Sequence, residues 1–229
     1  MTTISTNLQA VRTCIEAAAR VVERKPESVR LLAVSKTFTP QDIRYAVAAD
    51  QRCFGENYVQ EAAAKIEALH DLALEWHFIG PLQSNKTRQV AKLFDWVHSV
   101  DRLKIAERLS EARGADQAPL QVCLQVNISG EGSKSGVTPE ALPELAWAAS
   151  KLPHITLRGL MAIPEATDDM ALARRRFARL RMLRDELNGA GMELDTLSMG
   201  MSHDFEAAIL EGATIVRIGT AIFGERKYA

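Results

Sequence analysis

Apolar positions along this chain follow two rhythms. Leu8, Val11, Ile15, Ala18 and Val22 recur at three- and four-residue steps and stop before Pro26, as in an amphipathic helix closed by proline. From Val29 onward, short apolar runs alternate with longer amphipathic stretches. The runs at 30–35, 52–55, 75–80, 96–99, 120–128, 156–162, 196–199 and 214–218 read as strands. The stretches at 40–49, 57–69, 83–93, 102–112, 139–150, 169–189 and 203–211 read as helices. Val122-Cys123-Leu124-Gln125-Val126 is near-continuously apolar, which suits a parallel strand covered on both faces. Strand–helix repeats of about 25 residues predict an α/β fold, a single (β/α)8 TIM-type barrel. The barrel would span 29–224 and follow an extra N-terminal helix within 1–26. A doubly wound open sheet competes, but Gly-x-Gly-x-x-Gly is missing after the first strand. No Pro- or Ser-rich linker interrupts the pattern, so 1–229 reads as one domain.

Composition narrows the class. Of 229 residues, 47% are apolar and 25% charged, enough for a full core under a soluble surface. A net charge of −1 argues against a general electrostatic grip on nucleic acid or anionic lipid. The basic stretch Arg174-Arg175-Arg176 with Arg179, Arg181 and Arg184 then reads as a solvated helix face. Cys14, Cys53 and Cys123 are odd in number and widely spaced, as expected of core thiols in a reducing compartment. No leader pattern follows Met1 and no run is long enough to span a bilayer, so a cytoplasmic protein is expected. His70, His77, His98 and His154 lack metal-ligand spacing.

In such a barrel the chemistry gathers at the C-terminal ends of the strands. Lys36 ends the first strand and precedes the helix start Thr39-Pro40. Desolvation there would lower the amine's pKa and favour the neutral form that attacks a carbonyl. The competing reading is a lysine that snorkels into water. The other informative strand ends are Glu56-Asn57, 83–86, 129–136, Ser202 and 217–220. Ser202 reads as a helix N-cap with Asp204 in the first turn, and Gly219-Thr220 follows the eighth strand. Loops after strands seven and eight commonly hold phosphate in barrels, and ordinary turn chemistry is the alternative. Strand eight lies next to strand one in a closed barrel. A phosphate cup beside a reactive amine suits a phosphorylated aldehyde such as pyridoxal 5′-phosphate (PLP). Met161, Met199 and Met201 read as barrel filling, with the Met201 N–H also a candidate phosphate donor. Lys134 fails the spacing of a nucleotide phosphate loop and is a candidate entry-path amine or a solvated loop residue.

Several stretches carry a resemblance: Leu32-Ala33-Val34-Ser35-Lys36, 54–61, the run Trp76-His77-Phe78-Ile79-Gly80-Pro81-Leu82-Gln83-Ser84-Asn85-Lys86, 132–136, 158–161, 197–209 and 216–224. Together they resemble the pyridoxal phosphate homeostasis proteins, whose fold is like the barrel domain of alanine racemase. The resemblance implies that Lys36 carries PLP as an internal aldimine, a Schiff base. It also implies that Ser202, Gly219 and Thr220 hold the phosphate, that Asn57 lies close to the cofactor and that Arg217 faces the pyridine nitrogen. His77, inside the specific 76–86 stretch, is a further candidate for lining the site. Family members usually have an acidic residue where His203 stands, so an imidazole could add pH sensitivity to phosphate binding.

The implied role is non-catalytic: holding PLP and supplying it to apo-enzymes within vitamin B6 homeostasis. A racemase-like enzyme is the alternative. It needs a second acid/base opposite the lysine, and alanine racemase takes that tyrosine from a separate β domain. Tyr45, Tyr58 and Tyr228 fall at no clear strand end opposite Lys36, and such a domain is not expected after residue 224. A Schiff-base aldolase on the same barrel is a third possibility. Without the second domain, a monomer is expected.

Overall fold

The computed structural model describes residues 2–129 and 135–225. Its strands are β1 Arg30–Val34, β2 Cys53–Glu56, β3 Glu75–Phe78, β4 Trp96–Val100, β5 Leu120–Gln125, β6 Ile155–Met161, β7 Thr196–Ser198 and β8 Ile215–Ile218. They close into one barrel in chain order, and β8 returns to pair in parallel with β1, Leu32 opposite Arg217. The helices are α1 Thr3–Val21, α2 Pro40–Val47, α3 Val59–Ala68, α4 Thr87–Leu93, α5 Leu103–Ala112, α6 Leu142–Ala149, α7 Met170–Gly189, α8 Phe205–Leu210 and α9 Thr220–Phe223. Lys134 and Tyr228 lie outside the described residues.

The alternation of side chains along each strand makes two apolar layers. Leu32, Val34, Ile79, Trp96, Cys123, Met161 and Ile215 point inward and fill the barrel. Their neighbours Ala33, Phe54, Trp76, Phe78 and Val97 point outward and pack under the helices with Phe94, Phe177 and Leu180. Among the described residues, a short helix, α9, follows β8 and leaves part of that side of the barrel to another element. Helix α1 covers that place. Leu8, Val11 and Ile15 are buried on its inner face, and the Asn7 amide donates to Ile222 O at 2.9 Å.

The strand expected over 120–128 ends at Gln125, because the chain at Val137 turns back and donates its N–H to Gln125 O. Cys14 departs from the expected core thiols and is exposed on α1. Burial pushes the Cys53 and Cys123 thiols up to about 12, so both are protonated. The arginines of α7 are partly paired: Arg174 and Arg181 meet Glu211, and Arg176 meets Glu165. Among the described residues, no helix is long and apolar enough to cross a membrane.

Candidate functional site

The C-terminal ends of β1, β2, β3 and β8 and the loops after β6 and β7 surround a cavity of about 270 Å³. Its walls are Val34, Lys36, Asn57, Ile79, Ile163, Met201, Ser202, His203, Arg217, Gly219 and Thr220. Seven of the eight candidate residues named from sequence therefore meet in one hollow: Lys36, Asn57, Met201, Ser202, Arg217, Gly219 and Thr220. Larger hollows of about 410 and 560 Å³ lie beside α1 and at the opposite mouth of the barrel, and one of about 290 Å³ lies against α7. None of the three is lined by a lysine among the described residues.

His77 is the exception. It is fully buried one layer below the cavity, bonded to His98 and Glu75, because inward positions of β3 alternate and Ile79 takes the place at the mouth. Ser202 lines the cavity but is not a helix cap. Helix α8 starts at Phe205 with Asp204 as its N-cap residue. The Asp204 carboxylate accepts the Met201 N–H at 2.6 Å, so that N–H is already engaged rather than offered to an anion.

Lys36 sits half-buried on a backbone held from both sides. Lys65 of α3 donates its ammonium to Ser35 O at 2.7 Å, to Glu56 at 2.7 Å and to Glu61 at 2.6 Å. Glu61 in turn accepts the Thr37 N–H at 2.5 Å. One α3 ion pair thus grips the residues before and after Lys36. Thr37 has φ +70°, a left-handed conformation that costs a β-branched residue on the order of 1 kcal/mol or more. Glu61 holds it there. Glu56 is wholly buried, and burial pushes its carboxyl up despite Lys65 and the Ser35 hydroxyl. Sequence reasoning missed Lys65; its one signal was a lysine sharing the apolar face of α3 with Val59 and Ala62.

Arg217 forms the inner wall. Its guanidinium donates to Ser198 O at 2.6 Å, Ser198 Oγ at 2.8 Å and Ala162 O at 2.9 Å. Burial lowers it to about 10, with Asp204 acting the other way, so the group stays cationic at neutral pH. On the β8 side, Gly219 lets the backbone approach β1. A Cβ there would lie 3.2 Å from Val34 O. Gly219 is also the N-cap residue of α9, and no side chain caps that helix start. Asn57 Oδ1 is buried in the cavity wall with no hydrogen-bond partner, a polar atom left for a ligand. Gly80 keeps this corner tight: a Cβ on it would meet Asn57 O at 2.3 Å.

Comparison with known proteins identifies the family and the fold. The family model for the alanine racemase N-terminal domain matches residues 6–227. A pyridoxal phosphate homeostasis protein from Pseudomonas aeruginosa is 60% identical over 228 residues, covering 100% of this chain and 98% of that one. The structure of PipY from Synechococcus elongatus, solved with PLP bound, superimposes with a TM-score of 0.85 at 40% identity, covering 96% and 100% of the two chains. Alanine racemase from Corynebacterium glutamicum shares the fold, with a TM-score of 0.71 at 17% identity; the match covers 99% of this chain and 62% of the racemase. The chain belongs to the alanine racemase N-terminal domain family and, within it, to the pyridoxal phosphate homeostasis proteins.

Proposed function

We propose that this protein binds PLP reversibly through Lys36 and serves PLP homeostasis by holding the cofactor and supplying it to apo-enzymes, without turning over a substrate of its own. The observation that carries this reading is the single cavity that gathers Lys36, the Arg217 guanidinium and the Gly219-Thr220 helix start. The naming of the Pseudomonas relative and the PLP in PipY support it. The buried, unpartnered Asn57 Oδ1 supports it further, since a ligand in the cavity would satisfy that atom.

When bound, PLP supplies an aldehyde carbon and an electron-withdrawing ring. The Lys36 amine would hold the aldehyde covalently. Gly219, Thr220 and Ser202 would hold the phosphate by backbone N–H and hydroxyl donors. Arg217 would face the ring nitrogen. A guanidinium keeps its proton, so a ring nitrogen opposite it stays unprotonated and draws electrons weakly. Of the tyrosines among the described residues, Tyr45 and Tyr58 are exposed and line no part of the cavity, so neither is placed as a second acid/base. Among the described residues, the titratable wall groups besides Lys36 and Arg217 reduce to His203.

Loading of an apo-enzyme from the PLP-bound protein, compared with free PLP at equal total concentration, tests the reading. Transfer at or above the free-cofactor rate is expected. Steady racemisation of an L-amino acid that Lys36→Ala abolishes would replace the carrier with an enzyme.

A further inference from the structure

A continuous line of hydrogen bonds crosses the barrel interior from the cavity to the opposite mouth. Arg217 on β8 donates to Ser198 Oγ on β7 at 2.8 Å. Ser198 Oγ meets His98 Nδ1 on β4 at 2.7 Å. His98 Nε2 meets His77 Nδ1 on β3 at 2.9 Å, and His77 Nε2 meets the Glu75 carboxylate at 2.8 Å. Ser198, His98, His77 and Arg217 are all buried, while Glu75 reaches the surface at the N-terminal mouth. β7 and β4 are not neighbours in the sheet, so this line spans the lumen itself. Trp96 stacks on His77 with ring centroids 5.4 Å apart and leaves the ring little freedom to turn.

The donor inventory fixes the direction of every bond. An ionised carboxylate only accepts, so His77 Nε2 carries hydrogen. A neutral His77 then offers Nδ1 as acceptor, so His98 Nε2 carries hydrogen. His98 Nδ1 in turn accepts from the Ser198 hydroxyl, whose oxygen accepts from Arg217. Burial keeps both imidazoles neutral, lowering His77 and putting His98 well below its ordinary range, and the His77 bond holds Glu75 down at about 2. The charged groups facing these rings are Glu75, Arg30 and Asp95 around His77, and Arg217 and Arg30 around His98. The line therefore runs from a buried cation to a surface carboxylate, with each link polarised the same way.

We propose that Ser198, His98, His77 and Glu75 form a positioning relay for Arg217, through which a carboxylate at the far mouth of the barrel sets the orientation and field of the guanidinium beside a bound PLP. The proposal rests on the reading of the cavity given above. It makes the N-terminal mouth, usually a stability face in such barrels, an electrostatic partner of the site. Glu75, His98, Ser198 and His77 touch neither PLP nor substrate and act only through Arg217.

The full-length protein tests this at two levels. In cofactor-free protein, 15N NMR of labelled histidines at neutral pH is expected to place hydrogen on Nε2 of both His77 and His98. His77→Gln and His98→Gln provide the assignments. An Nδ1–H tautomer on either ring overturns the relay, whether or not the protein takes up PLP. In PLP-loaded protein, the visible absorption band is titrated against pH. Glu75→Gln removes a negative charge but keeps an acceptor for His77. It is expected to lower the band's titration midpoint by roughly half a pH unit or more, since losing an anion disfavours the protonated form. Arg30→Met removes the cation that bonds the Glu75 carboxylate at 2.6 Å and leaves that anion uncompensated, so it is expected to raise the midpoint, and a lowered midpoint counts against the coupling. His98→Phe is expected to speed PLP release about tenfold, and His98→Gln, with one donor and one acceptor, to restore most of it. Should His98→Phe fail to fold, Glu75→Gln decides. An unshifted midpoint in Glu75→Gln overturns the coupling. Wild-type protein that takes up no PLP overturns the cavity reading and the coupling together, and the tautomers then show whether the hydrogen-bond line itself was read correctly.

Discussion

Lys65→Met replaces the buried ammonium beneath Lys36 with a side chain of similar length and no charge. Glu56, wholly buried, would keep the Ser35 hydroxyl as its partner and lose its cation, and Ser35 O would lose its donor. Breaking one side of a buried pair costs roughly 3–5 kcal/mol. The carboxyl has an escape, which is to bind a proton. Taking it from its ordinary value of 4.5 to the protonated state at pH 7 costs about 3 kcal/mol, and that is the ceiling for the charge part of the effect. The Glu61 contact is part-exposed and adds little. In the variant, Glu56 is protonated in the folded state with its pKa raised above the unfolded value. Its burden therefore lightens as pH falls, by about 1.4 kcal/mol per unit down towards pH 4.5. Urea unfolding of wild type and variant at pH 7.0 and 5.5 is expected to show a loss of about 3 kcal/mol that shrinks to about 1. Adding Glu56→Gln should recover much of it, since an unpaired carboxylate is no longer buried. Lys65→Met should also bind PLP more weakly, because Ser35 next to Lys36 loses its clamp and Glu61, which holds Thr37, loses its cation. A loss under about 1 kcal/mol, equal at both pH values, would refute the clamp.

Three further outcomes follow from the geometry. Gly219→Ala places a Cβ 3.2 Å from Val34 O at the proposed phosphate end, and PLP affinity measured by absorbance titration should drop at least about tenfold with a small change in Tm. Gly80→Ala would drive a Cβ to 2.3 Å from Asn57 O, so a loss of roughly 2 kcal/mol or more in urea unfolding is expected, with PLP binding weakened alongside. His77 and His98 have folded-state pKa values depressed below 6.5, so their contribution is full above that pH and is lost as pH falls toward the folded values. Stability followed from pH 7.5 to 5 should decline by up to about 1.4 kcal/mol per pH unit per histidine, and a flat profile would contradict their burial as neutral rings.

The barrel was legible because inward and outward positions of parallel strands are both apolar, which leaves runs such as 120–125 standing out between amphipathic helices. Lys36, Arg217 and Gly219 stood out because they fall at strand ends on the face where barrel chemistry gathers, and the fold brings them to one cavity. Depth was not legible. Inward positions on β3 are 75, 77 and 79, and only folding shows that Ile79 reaches the cavity while His77 lies beneath it. Partners remote in sequence were hidden for the same reason: His98 meets Ser198 across 100 positions, and Lys65 meets Ser35 across 30. Ser202 was misplaced as a cap because Asp204, two residues on, takes that position and ties back to Met201.

The central claim is that Lys36 holds PLP covalently and reversibly. Protein incubated with PLP, reduced with borohydride, digested and mapped by mass spectrometry tests it directly. The account predicts a reduced phosphopyridoxyl adduct on the peptide carrying Lys36, stoichiometric with protein, and no adduct in material exchanged into excess apo-enzyme before reduction. An adduct spread over surface lysines, or the same yield in Lys36→Ala, would contradict it.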